Sequence, residues 1–284
     1  MRATEKAARS EAVTQAWRRT AVVLLLSGAV LALMLLLDRP LSEAARHIPE
    51  PWMGIAKMLT HAGKSHWYLI PAGLTVLVLL AVRHRTACTD RRRTLSWIAA
   101  ASGFVFLSVA VAGLAVILIK LLVGRARPKL LEAQGFYGFD PLTLHPDFHG
   151  FPSGHASTMA SLALALGFLL PRWRLVFLLT GIVLASTRIW VNAHFASDVV
   201  AGIAIAVATT YWLRAKFTER GWLFVPHPNG RIMAPPPWRA PLDLPALKDS
   251  GPVQGAPAHG AGGGRDGGKI SSRSAPGGAT HNQN

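Results

Sequence analysis

Six apolar runs dominate the chain, and the ends of the last four carry nearly all of its buried-type polar chemistry. A bilayer crossing takes about 20 apolar residues as helix. No water in the hydrocarbon layer can satisfy a free N–H or C=O, so such runs fold as helices that close their own hydrogen bonds. The runs extend from Thr20 to Leu37, Trp67 to Val82 (with Pro71 inside), Trp97 to Val123, Ser153 to Leu170, Leu175 to Thr187 and His194 to Leu213. The last three are short by hydropathy alone, and their polar ends are expected to continue into a protein-lined cavity. The fold predicted is an all-α polytopic membrane protein, a bundle of six transmembrane helices.

Only 15% of residues are charged, against roughly 25% in soluble domains. The net charge of +16 would suit nucleic acid, but the basic residues cluster beside the apolar runs, as the positive-inside rule requires. Arg18 and Arg19, Arg83 to Arg93, Arg172 and Arg174, and Arg214 to Arg220 all fall on one side of a six-span bundle. That side is expected to be cytoplasmic, with both termini inside and the motif loops on the outer face. Residues 1–19 form a cytoplasmic N-terminal segment, 20–224 the membrane domain, and 225–284 a Pro/Gly-rich tail expected to be disordered. Span one has a basic start and an apolar core like a signal peptide, but lacks a convincing small-residue cleavage site, so its retention is expected. The connector Asp38 to His66 carries Trp52 and is read as an interfacial segment. The lone Cys88 is read as a plain reduced thiol.

Polar side chains inside membrane segments are expensive and usually functional. Pro152-Ser153-Gly154-His155 stands at a helix start, where Ser153 is a good cap and free N–H groups can bind phosphate oxygens. His155 then falls on the first turn. His194 and Asp198, four residues apart, share one helix face, so the carboxylate could fix the imidazole tautomer and leave the other nitrogen as nucleophile or base. Lys120, Arg127 and Arg188 add three cations suited to phosphate oxygens. Each motif alone has a bland reading: a capped helix, a stapled His–Asp pair, side chains snorkelling to headgroups. Arg125 and Lys129 are expected to snorkel. The trio His145, Asp147 and His149 offers metal-ligand residue types but is read chiefly as a loop shaping the pocket mouth.

The three motifs read K-x6-R-P (120–128), P-S-G-H (152–155) and R-x5-H-x3-D (188–198). Their order and spacing closely resemble the type-2 phosphatidic acid phosphatase and vanadium haloperoxidase superfamily, in particular its six-span bacterial lipid phosphatases. The resemblance covers about residues 20–213, with Thr187 where that family usually has Ser. It implies a phosphatase that forms a phosphohistidine on His194, oriented by Asp198. His155 would be the general acid and then the base. Lys120, Arg127, Arg188, Ser153 and Gly154 would hold the phosphate, with no metal or other cofactor.

The expected substrate is a lipid phosphomonoester or diphosphate: undecaprenyl diphosphate, phosphatidylglycerophosphate, phosphatidic acid or a lipid A phosphate. The motifs hold the phosphate and carry no information about the acyl or prenyl part, or about oligomeric state. A compact chain rich in Ala, Arg and Gly points to a bacterial inner membrane, with membrane lipids as partners and the site facing the periplasm. Other readings of the same residues are a lipid phosphotransferase, a non-catalytic lipid-phosphate binder or transporter, and a haloperoxidase, against which the six spans argue.

Overall fold

The computed structural model describes residues 21–226 and 232–236. The expected N-terminal segment and residues 237–284 of the expected tail lie outside the described residues.

Helix α1 (Ala21–Leu36) bends by 52° into α2 (Asp38–Arg46). Pro40 explains the bend: it has no N–H for the carbonyl of Leu36, and its ring crowds that carbonyl. Short α3 (Glu50–Thr60) leads to α4 (His66–His84), and α5 (Thr89–Val123) follows. At 35 residues α5 is about 50 Å long and outruns the hydrocarbon layer of about 30 Å. It stops at Gly124, whose left-handed φ of 57° turns the chain across the bundle end. A crossing segment with α6 (Pro128–Gln134) leads to α7 (Gly154–Leu169), α8 (Arg174–Trp190) and α9 (Ala196–Glu219).

By length and composition, four helical stretches among the described residues can cross a membrane: Glu50–Arg83, Thr89–Val123, Pro171–Trp190 and Ala196–Glu219. The bent α1–α2 pair makes a fifth, and α7, apolar but only 16 residues long, is the remaining member of the bundle. The all-α membrane bundle expected from the sequence is therefore observed. Its large exposed apolar side chains, such as Leu25, Leu35, Leu77 and Leu122, have the outward placement that lipid favours.

Helix α7 is the axis of the fold. It packs against α5, α8 and α9, and most of its residues are buried, many of them Ala, Ser and Gly that let neighbouring backbones approach. At its C-terminal end Phe104, Phe168, Phe217 and Phe224 pack as tilted and edge-on rings around Phe104. There the two-residue strands β1 (Val225–Pro226) and β2 (Ile232–Met233) pair antiparallel. The Trp97 indole donates to the Pro235 carbonyl at 2.7 Å, holding this segment to the bundle. The C-termini of α5 and α8 and the N-termini of α7 and α9 meet at the opposite end, where the sequence motifs lie.

Candidate active site

His194 sits in the turn between α8 and α9 and is 4% exposed. Its Nδ1 lies 2.7 Å from the carbonyl oxygen of Gly150, an acceptor, so Nδ1 carries the hydrogen and Nε2 keeps its lone pair. Asp198 Oδ2 stands 3.6 Å from Nδ1, beyond hydrogen-bonding distance. The sequence suggested that the carboxylate itself accepts the imidazole proton; in the structure a backbone carbonyl does so and Asp198 acts on the ring as a nearby charge. Burial pushes the His194 imidazole down to about 4; Asp198 opposes this, and Lys120 and Arg188 reinforce it. The ring is neutral at physiological pH.

Asp198 is fully buried at the start of α9. Its Oδ2 accepts from the Phe195 N–H at 2.8 Å, and its Oδ1 takes a short bond from Arg125. Its carbonyl accepts from the Ser153 N–H at 2.9 Å, tying the start of α9 to that of α7. This approach requires glycine one turn on: a Cβ at Gly202 would lie 2.4 Å from the Ser153 carbonyl oxygen. Ser153 caps α7, its Oγ accepting from the Ala156 N–H at 3.4 Å.

The three expected phosphate cations surround this point. Lys120 Nζ donates to the His149 carbonyl at 2.7 Å, and Arg188 Nη1 donates to Thr60 Oγ1 at 2.9 Å. Among the described residues, the Nε of Arg127 and that of Arg188 are buried without a hydrogen-bond partner. His155, half-buried on the first turn of α7, lies within electrostatic range of Arg188, His194 and Arg127. The structure thus gathers His155, His194, Asp198, Lys120, Arg127, Arg188, Ser153 and Gly154 at one end of the bundle. Lys120, Gly154 and His155, with Lys64, Ser65 and His66, line a cleft of about 680 Å³ between α4, α5 and α7, whose walls also include Leu69, Val109, Leu114 and Ile117.

Several neighbours were not expected from the sequence. Arg125, read as a snorkelling side chain, is instead 1% exposed. It bonds Asp198, Ser197 Oγ (2.6 Å), Asp38 Oδ2 (2.7 Å) and the Tyr137 hydroxyl (2.8 Å). Its guanidinium also lies 4.6 Å from the centre of the Phe195 ring. The attraction of two buried carboxylates outweighs the gain from reaching water. Lys129, also expected to snorkel, pairs with Asp147. Thr60 comes from the segment read as an interfacial connector. In the 145–149 loop, Asp147 turns to Lys129 while His149 Nε2 lies 3.1 Å from the Thr143 carbonyl. Among the described residues no three His, Cys, Asp or Glu side chains converge as metal ligands.

Residues 101–222, which hold all eight of these site residues, match the PAP2 superfamily. Over 211 residues the chain is 34% identical to a lipid A 1-phosphatase of Rhizobium johnstonii, covering 73% of this chain and 84% of that one. The chain belongs to the PAP2 superfamily. A lipid A 1-phosphatase of Rhizobium etli is 33% identical over 73% of this chain and 88% of its own length. Among solved structures, a transmembrane PAP2-type phosphatidylglycerolphosphate phosphatase from Bacillus subtilis matches at 20% identity. It has a TM-score of 0.47 and covers 68% of this chain and 94% of its own. The protein falls in the membrane lipid phosphatase branch of the PAP2 superfamily and is a phosphoric monoester hydrolase.

Proposed function

We propose that this PAP2 phosphatase removes a phosphate monoester from a saccharolipid headgroup, the 1-phosphate of lipid A being the substrate class favoured by the relatives above. The observation that carries the chemistry is the buried, neutral His194. Its Nδ1–H is committed to Gly150, and its other nitrogen is available beside three cations.

The steps follow from the placement. The Nε2 lone pair of His194 attacks phosphorus while the P–O ester bond breaks and His155 gives its proton to the leaving oxygen. The phosphohistidine is then hydrolysed: His155 takes a proton from water, the oxygen bonds to phosphorus, and the P–N bond breaks to release inorganic phosphate. Lys120, Arg127 and Arg188 neutralise the equatorial oxygens, with the Ser153 hydroxyl and the N–H groups at the start of α7. Fixed cations there meet the charge that a metal meets in other phosphoryl-transfer enzymes, so the reaction is metal-independent.

The cleft gives the lipid a place. Its acyl chains lie along α4 and α5, where a second apolar groove of about 610 Å³ shares Leu69 with the first and continues past Gly73, Leu77, Gly103 and Phe106. The phosphate then reaches Lys120 and His155. The site faces the periplasmic side of the inner membrane, the arginine-rich loops the cytoplasm.

The test is phosphate release by detergent-purified enzyme from lipid A, phosphatidic acid, phosphatidylglycerophosphate and undecaprenyl diphosphate, with excess EDTA present. Release from lipid A above the other lipids, unaffected by EDTA, is expected. Preference for a glycerophospholipid would overturn the substrate assignment, and loss to EDTA the metal-free mechanism.

A further inference from the structure

Asp38 is fully buried, lies at the α1–α2 bend and is outside the stretch 101–222 that matches the superfamily. Its carboxylate accepts from the Ser197 N–H at 3.0 Å and from the Ser197 hydroxyl, from Arg125 Nη2 at 2.7 Å and from Tyr137 at 3.3 Å. Arg125 reaches the other way with Nη1 to Asp198. The Arg125 carbonyl also accepts from the Gly150 N–H at 2.8 Å, and Gly150 in turn holds His194 Nδ1. One residue therefore anchors both the carbonyl and the carboxylate that stand beside His194 Nδ1, and Asp38 anchors that residue.

The charge count gives this arrangement a purpose. Arg125 paired with Asp198 alone would cancel the carboxylate beside His194. Two carboxylates on one guanidinium leave the cluster net negative in a low-dielectric interior, where charge acts strongly. A ring that accepts a phosphoryl group at Nε2 while keeping its Nδ1–H becomes cationic, and a net negative neighbour favours it. We propose that Asp38 and Arg125 are positioning residues for the phosphoryl transfer, Asp38 sharing Arg125 so that Asp198 keeps its charge for His194.

This rests on the phosphatase reading, and the experiment separates the two. Kinetics are compared for wild type, Asp38→Asn, Asp38→Glu and Arg125→Lys, with thermal unfolding in detergent as the folding control. The other charged or titratable groups facing His194 are Asp198 on α9, Lys120 on α5, Arg188 on α8 and His155 on α7, with Arg127 beside Lys120 and Asp198. All are unchanged in these variants.

Removing the Asp38 charge favours neutral His194, so the acid limb of kcat/KM moves to lower pH by about half a unit. The kcat of Asp38→Asn falls about 10- to 100-fold with KM little changed. Asp38→Glu keeps the charge and restores the wild-type limb. A folded Asp38→Asn enzyme with wild-type kcat and limb would overturn the proposal, because a purely structural carboxylate moves neither when folding is intact. If that variant does not fold, Arg125→Lys decides: a single ammonium cannot fork two carboxylates, so kcat falls at least about tenfold, and wild-type kcat overturns the proposal. If wild type releases no phosphate from any lipid, the phosphatase reading fails. Orthovanadate binding then tests the pair without turnover: about fivefold weaker binding in Asp38→Asn supports it, and equal binding overturns it.

Discussion

His194 Nδ1 donates to the Gly150 carbonyl at 2.7 Å, while the carboxylate four residues further on stands 3.6 Å away. The backbone thus chooses the tautomer, which makes Nε2 the reacting atom of the proposed mechanism. Replacing His194 with Ala should reduce turnover at least about 10⁴-fold while the protein still extracts and unfolds like wild type. Rapid-quench trapping with ³²P-labelled lipid should label wild type and leave His194→Ala unlabelled; label in the mutant would assign the nucleophile elsewhere.

The pH profile follows from the burial of that ring. A nucleophilic imidazole must be neutral, and its folded value is pushed down to about 4. The acid limb that His194 sets should therefore lie at about 4, below the range where an ordinary histidine titrates, while the alkaline side is left to His155, which must carry a proton in the first step. An acid limb at about 6.5, the value of a solvated histidine, would contradict this environment.

Each phosphate cation should matter separately. Lys120→Ala, Arg127→Ala and Arg188→Ala should each lower kcat/KM by about 100-fold, the loss typical of one preorganised contact to a developing anion. Thr60→Val frees the Arg188 guanidinium from its 2.9 Å anchor and should have a milder effect, about threefold and mainly in KM. Steady-state kinetics on one lipid substrate would rank the four variants.

Gly202 tests the junction of α7 and α9. A methyl there meets the Ser153 carbonyl at 2.4 Å, and that backbone cannot rotate away. Gly202→Ala should destabilise the protein by about 2 kcal/mol through overpacking and lower activity by displacing Asp198 from Arg125. Detergent thermal unfolding alongside activity would show both losses together.

The cleft makes a different kind of prediction. Leu69 lines both the cleft beside His155 and the apolar groove beyond it. Leu69→Trp should lower kcat/KM for a long-chain lipid phosphate about tenfold and spare a short water-soluble phosphate ester, which has no chain to place there. Equal losses on both would remove the groove from the substrate path.

Much of this was legible because membrane segments make polar residues conspicuous. Span two, expected from Trp67 to Val82, is seen as His66–His84, and span four, expected from Ser153 to Leu170, as Gly154–Leu169. Six of the eight motif residues stood out for the same reason, since a charge or histidine at the end of an apolar run has few cheap explanations, and Ser153 and Gly154 came with His155 as a helix start. What escaped were pairings. Asp38 and Arg125 are 87 residues apart, and nothing in a linear pattern links a lone carboxylate after one span to a basic residue after another. The Gly150 carbonyl gave no signal because every residue carries one. Lone Asp38 at the end of an apolar run was the one clue available, and read by the rule applied to the motifs it would have been singled out with them.

Helix α7 rises only about 24 Å over its 16 residues, less than the thickness of a hydrocarbon layer. Protein surrounds it, so it never has to match the lipid, and its capped start can end in a recess beneath the headgroups. In the proposed reaction, a phosphate that reaches that recess exchanges its hydration shell for fixed N–H groups and guanidinium ions. Dissolved phosphate esters must make the same exchange with no tail in the bilayer to hold them at the mouth, so depth itself selects molecules already anchored in the membrane.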